Sequence, residues 1–198
     1  GMMDTTENID PRCFWQANLM EVTEKLVRLI RRHKPHVIVT FDPNGGYGHP
    51  DHIKIHQASM IAYFVSGDAR IFPDQITQEE LEAWTVSKIY WGAVPRSRFA
   101  RWAEVAEKAG IDVGIPIQEF LRRAQPDEVI TTRIDVTPYV DLKLNALYCH
   151  ASQMNPNSIF SKIPIGIRKE GMKIETLIRA ESRIVVQGDE TDVFTGIE

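Results

Sequence analysis

Cysteine is scarce in this chain: Cys13 and Cys149 are the only two in 198 residues. They are too few for a disulfide framework and lack zinc-type spacing, which suits a reducing, cytoplasmic setting. No apolar run reaches membrane-spanning length, and the N-terminus has no signal-peptide pattern, so neither a membrane nor an export route is expected. Positive charge is not in excess either, with 23 Lys and Arg against 27 Asp and Glu and a formal net charge of -4. Nucleic acid and anionic membrane surfaces call for clustered positive charge, so neither is expected as a partner. The dense basic group Arg28, Arg31, Arg32 and Lys34 reads as a solvated helix end, where cations are favourable to the helix dipole. Internal repeats and low-complexity tracts are absent from the sequence.

What is present is the composition of one globular domain spanning 1–198, 43% hydrophobic and 25% charged. Leu19, Val22, Leu26, Leu29 and Ile30 recur at helical spacing, so Asn18 to His33 reads as an amphipathic helix capped by Asn18. The β-branched run Val37 to Thr40 reads as a strand buried on both faces, and Ile53 to Val65 as a second helix. This α-β-α order is typical of a doubly wound sheet. Further on, Glu79 to Trp84 reads as a short helix, Lys88 to Trp91 as a strand and Ser97 to Gly110 as a packed helix. Ile115 to Ala124 reads as another short helix. Val129 to Val136 alternates as an edge or hairpin strand does, Tyr139 to Met154 has helical periodicity, and Met154 to Gly171 reads as a loop-rich lid.

Between the first strand and the second helix lies Phe41-Asp42-Pro43-Asn44-Gly45-Gly46-Tyr47-Gly48-His49-Pro50-Asp51-His52. In open α/β sheets, ligands bind in the crevice outside the carboxyl ends of strands. Three glycines let the backbone bend and approach a ligand, and Pro50 suits a first helical turn. His49 and His52 offer imidazoles that bind a divalent metal or shuttle protons, and Asp51 a carboxylate that orients either. With a helix starting near Pro50, His52 and His56 share a face, as paired zinc ligands do. Two histidines do not complete a catalytic zinc site, which takes three protein ligands. Histidines at helix starts also serve simply as caps, and the bare residues leave both readings open.

The longer string Gly45-Gly46-Tyr47-Gly48-His49-Pro50-Asp51-His52 closely resembles the second signature of the LmbE/PIG-L family of zinc-dependent N-deacetylases and amidases. That resemblance implies a Rossmann-like three-layer α/β sandwich with a mainly parallel sheet, Zn2+ as cofactor and a small-molecule amino-sugar substrate. It implies that His52 ligates the zinc, that His49 stabilises the oxyanion or acts as general acid, and that Asp51 tunes His49. Tyr47 matches a tyrosine that helps bind substrate and polarise the carbonyl, whereas His56 matches no family ligand and is left as a helix-face residue. Lys143 to Gln153 resembles a later helix of the family bordering the cleft, implying a substrate contact for His150 and, secondarily, for Gln153. Taken alone, His150 reads as a helix C-terminal cation or a hydrogen-bonded core group. Thr176 to Val186 and Glu190 to Gly196 resemble the tail of the same proteins.

Members of the family begin with an Ala-His-Pro-Asp-Asp-Glu type signature that supplies the other two zinc ligands and the general base. No such string occurs here, so the chain is expected to be the C-terminal portion of the domain, lacking its N-terminal strands. Zinc-dependent hydrolysis of N-acyl bonds on amino sugars or glucosaminyl conjugates is the activity implied for the intact parent, and this chain is expected to be a poor enzyme. Its exposed sheet flank favours a homo-oligomer. The alternative is a non-catalytic carbohydrate-binding or oligomerising remnant. A metal phosphoesterase ranks last, because the carboxylates of a two-metal clamp are not evident.

Overall fold

The computed structural model describes residues 1–108, 110, 124–151, 154, 161 and 163–197. In chain order the elements are α1 (Leu19–His33), β1 (Val37–Thr40), α2 (Gly45–Gly48, one distorted turn), α3 (Pro50–Val65), α4 (Asp74–Thr77), β2 (Lys88–Gly92) and α5 (Arg96–Lys108). There follow β3 (Thr132–Asp135), α6 (Val140–Tyr148), α7 (Ile165–Met172) and β4 (Ile174–Ser182); among the described residues, two 3-10 turns precede α1 and two flank β3. Both cysteines are free thiols. No helix among the described residues is long and apolar enough to cross a membrane.

The residues group into two units, one formed by Gly1–Ala93, Ile178–Gly188 and Val193–Glu198, the other by Val94–Leu177 and Asp189–Asp192. In the first, Asn18 caps α1 by accepting from the Met20 and Glu21 amides at 2.8 and 3.3 Å, as its position before an apolar-periodic run predicts. The inward stripe of α1 brings Val27 and Ile30 against Ala62 and Tyr63 of α3 and Val86 and Ile89 around β2, all of them buried. Ala180 of β4 packs on the same cluster. The C-terminal tail is fixed to β2 through the buried Lys88, whose Nζ donates to the Val193 and Thr195 carbonyls at 3.2 and 2.6 Å. In the second unit, Val140 and Leu144 of α6 meet Met172 of α7. Lys143 ties α6 to the start of β4 through Glu175 at 2.5 Å.

The strands form one sheet in the order β1-β2-β4-β3, β1 and β2 running parallel and β3 and β4 antiparallel. The fold is α/β, but the mainly parallel sheet expected from sequence is corrected to a mixed one. The reason lies in β3, where Thr132 is buried, Ile134 half-buried, and Arg133 and Asp135 face solvent. Such one-sided strands pair antiparallel, because a parallel sheet is normally covered on both faces. A second correction concerns β1, which stands at the edge of the sheet order with Val39 55% exposed and so is not buried on both faces. The short helix expected over Glu79 to Trp84 is instead one turn earlier, at Asp74–Thr77. The helix expected over Ile115 to Ala124 lies, apart from Ala124, outside the described residues. Of the expected lid over Met154 to Gly171, residues 155–160 and 162 also lie outside the described residues, and its last part is not loop but α7.

Arg31 departs furthest from its sequence reading. Its side chain is buried, not solvated, and its Nε donates to the Ser66 carbonyl at 3.2 Å. Nη1 donates to the Phe72 carbonyl and Gln75 Oε1 at 3.2 and 3.0 Å, and Nη2 to the Asp68 and Ile71 carbonyls at 2.8 and 2.9 Å. One guanidinium thereby gathers the loop after α3 onto α1. Its neighbours Arg28, Arg32 and Lys34 pair instead with Glu79 and Glu82. Replacing Arg31 by Met keeps the apolar stem and strands the carbonyls, so a loss on the order of 3 kcal/mol is predicted in urea unfolding. Arg31→Lys should not restore it, because an ammonium cannot reach this spread of acceptors. A change within experimental error would show that water satisfies the loop equally well.

Candidate functional site

The chain leaves β1 through Phe41 and Asp42 and must turn sharply to enter α3. Asp42, 97% shielded from solvent, supplies the anchor: its carbonyl accepts from the Gly45 amide at 2.9 Å and its Oδ1 from the Gly46 amide at 2.8 Å. Gly45, Gly46 and Gly48 all take positive φ, at 62°, 71° and 89°. For Gly45 there is a second demand, since a Cβ there would lie 2.8 Å from the Ile53 amide nitrogen and 2.9 Å from the His52 Cβ. Glycine therefore lets the loop press against the first turn of α3. The contact it makes there is a hydrogen bond between the Gly45 carbonyl and His52 Nδ1 at 3.1 Å.

The two histidines carry their protons on opposite nitrogens. A carbonyl only accepts, so His52 Nδ1 is protonated and its Nε2 keeps a lone pair, the state in which imidazole serves as a metal ligand or base. His49 is the N-cap of α3, and its Nδ1 accepts from the Asp51 amide at 3.2 Å. An amide only donates, so the His49 proton sits on Nε2, where it is available as a donor. The rings lie 4.7 Å apart. Phe41 stacks on His52 at 3.8 Å with the planes 7° apart, and Tyr47, half-exposed, meets the same ring edge-on at 5.3 Å. Burial first, and then the neighbouring His52, lower the His49 pKa, while the Asp51 carboxylate pulls it back up. That carboxylate lies 4.0 Å from His49 Nδ1, and its Oδ1 is buried without a hydrogen-bond partner among the described residues.

Tyr47, His49, Asp51 and His52 are thus brought together. His56 is turned aside, its Nδ1 2.8 Å from the Phe41 carbonyl and its ring edge-on to Trp91 at 5.4 Å. His150 is exposed, just past α6 in the second unit, and Gln153 lies outside the described residues. Asp42 and Phe41 had no role assigned from sequence. The signal for Asp42 was available, an Asp three residues before a glycine run, which is a common way of anchoring a turn through its side chain.

A lone pair held this way can bind a metal, accept a hydrogen bond or act as a base, and one donor does not make a metal site. Among the described residues, no group of three or more His, Cys, Asp or Glu is placed to hold an ion. The donor set therefore does not fit a complete zinc centre, and no chemistry can be routed through one here.

Residues 3–63 match the family described as PIG-L: GlcNAc-PI de-N-acetylase. The whole chain aligns at 36% identity with the 1D-myo-inositol 2-acetamido-2-deoxy-alpha-D-glucopyranoside deacetylase of Acidothermus cellulolyticus, covering 64% of that protein. A deacetylase of the same name from Geodermatophilus obscurus is 35% identical, with 67% of its length covered, and deacetylase 1 of Frankia alni is 33% identical with 69% covered. The chain belongs to the PIG-L/LmbE family. It spans a little under two thirds of the Acidothermus relative. The PIG-L match contains the entire turn from Asp42 to His52, so the geometry above lies in the portion shared with the family.

Two outcomes follow from the loop. Gly45→Ala combines a left-handed backbone with a backbone clash and should destabilise by about 2 kcal/mol or more, whereas Gly48→Ala, with nothing within 4 Å of its Cβ, should cost about 1 kcal/mol. Thermal unfolding of the pair checks the order. In metal-free protein followed by NMR, His49 should titrate below the ~6.5 of a free imidazole. Asp51→Asn should move it further down, and an upward shift would contradict the electrostatic role given to Asp51.

Proposed function

We propose that this chain carries part of the active site of a zinc-dependent N-deacetylase acting on an acetamido sugar joined to a polyol such as inositol. The observation that carries the reading is the pair of opposite tautomers at His49 and His52, held by backbone partners within one turn of α3. Hydrolysis of an amide breaks the C–N bond, places the water oxygen on the acyl carbon and delivers a proton to the amine. His49 Nε2–H is the group suited to hydrogen-bond the developing oxyanion, and once the ring has taken up a second proton it can pass one to the leaving nitrogen and return to the neutral form. Asp51 favours the protonated form of His49 that this transfer needs. Tyr47, exposed beside both rings, is proposed to contact the substrate, and a substrate contact is likewise proposed for His150. His52 Nε2 is the proposed zinc donor. The protein is proposed to have the Rossmann-like sandwich of its family, to work in the cytoplasm and to associate through the β1 edge.

Because the described residues offer a single oriented donor, the chain by itself is predicted to retain well under one equivalent of zinc and to show no turnover of N-acetylglucosaminyl-inositol. Elemental analysis and release of free amine measure both. Stoichiometric zinc with turnover would sink the incompleteness argument. Joined to the portion of the Acidothermus deacetylase that this chain does not span, it should gain both properties. In that chimera His52→Ala should remove zinc and activity together. His49→Ala should keep the metal and lower kcat by about 10²-fold or more, the range for a lost acid or oxyanion donor. A chimera that binds the sugar and zinc but never hydrolyses it would favour the carbohydrate-binding remnant.

A further inference from the structure

A cavity of about 360 Å³ lies in the second unit and uses none of the residues of the glycine-rich loop. One wall is the face of α5 that carries Arg98, Arg101 and Trp102, and Arg133 of β3 completes the basic lining. Arg98 and Arg101 are three apart and so neighbours on the helix.

The charges around the cavity are unequally matched. Arg133 is paired, with Asp189 at 2.9 Å, and also donates to the Ile130 and Asp127 carbonyls. The two carboxylates of the lining are engaged as well. Asp127 caps α5, accepting from the Ser97 amide at 3.0 Å and from the Ser97 hydroxyl, and these bonds hold its carboxyl below the ordinary range. Glu170 pairs with Lys173 at 2.5 Å. Arg98, by contrast, donates only to the Ile174 carbonyl at 2.6 Å, and Arg101 forms no ion pair within 4 Å among the described residues, the nearby Glu104 being paired with Lys108 and felt by Arg101 only at longer range. Partial burial of Arg98 lowers its pKa, with only the more distant Glu175 opposing. A half-buried guanidinium without a carboxylate is costly unless an anion completes it.

The rest of the lining is apolar. Gly171 makes room for the Trp102 indole, since a Cβ there would meet its Nε1 at 2.6 Å, and Ile167 and Ile174 flank the same space. Guanidinium pairs match phosphate oxygens in a planar, bidentate way that a lone carboxylate uses less fully, and an indole face takes a ring or an apolar group. We propose that this cavity binds an organic phosphate monoester, Arg98 and Arg101 holding the phosphate and Trp102 with Ile167 and Ile174 holding the organic part.

Calorimetric titration of the chain with phenyl phosphate, inorganic phosphate and benzoate tests the assignment. Phenyl phosphate should bind at millimolar concentration or below and more tightly than either other probe. Arg101→Gln, an exposed change that leaves packing intact, should weaken both phosphate probes at least about tenfold, as should Arg98→Gln. Trp102→Leu should weaken phenyl phosphate while sparing inorganic phosphate. Arg12→Gln, the same charge change at an exposed site in the first unit, should alter nothing. Equal affinity of the Arg101→Gln and Arg12→Gln proteins, benzoate binding as tightly as phenyl phosphate, or no binding of any probe overturns the proposal. None of these readings depends on zinc or deacetylation, so failure here and failure of the deacetylase reading are separate events.

Discussion

The hydrogen bond from His52 Nδ1 to the Gly45 carbonyl is the constraint on which the loop after β1 depends. To bring that carbonyl to the first turn of α3, the backbone must double back immediately after the strand. The reversal needs positive φ at three of four consecutive residues and space for no Cβ at the first. Such conformations cost little only for glycine. Asp42 then fixes the reversal from below by occupying the amides of Gly45 and Gly46, and Phe41 closes the other face of the His52 ring by stacking. Strand exit, glycine run and helix start are therefore one device, and its product is the direction in which one imidazole nitrogen faces.

A second consequence is the division of labour between two identical side chains. Nothing intrinsic to histidine decides which nitrogen carries the proton; the partner of the other nitrogen does. His49, at the N-cap, meets an amide donor, and His52, one turn into the helix, meets a carbonyl acceptor. Two neutral rings with complementary tautomers are compatible at 4.7 Å, whereas two imidazolium ions would repel. The lowering of the His49 pKa by His52 expresses that repulsion, and the Asp51 carboxylate opposes it.

How much of this was legible in the sequence varies with the range of the interaction. α1, α3, β1 and the turn are set by contacts between near neighbours, so periodicity, an Asn cap and a glycine run sufficed to place them. Arg31 could not be read the same way. Its partners lie 35 to 44 residues away and, Gln75 apart, are backbone carbonyls, which leave no mark in residue identity. Sheet direction failed for a related reason: a local α-β-α pattern is silent about β4, whose mixture of Glu, Thr, Arg and Ser hides a strand that is only partly covered. At the site, residue types and spacing pointed to His49 and His52. Their tautomers depended on backbone groups and needed coordinates.

The way the loop is supported also bears on the order in which metal and protein structure arise. In small metal-folded domains the ion supplies the energy that orders its ligands, and the apo chain is unfolded. Here His52 is oriented by a carbonyl, an aromatic stack and an aspartate-anchored turn, none of which requires an ion. The entropy of fixing that ring is met by protein contacts alone, which is the preorganisation that the proposed zinc donor of a catalytic centre needs. A lone oriented imidazole still binds zinc weakly, because affinity accumulates only when several donors converge. If His52 is the zinc donor proposed above, the arrangement presents one formed donor without needing an ion to order it, and any further donors have to converge on it.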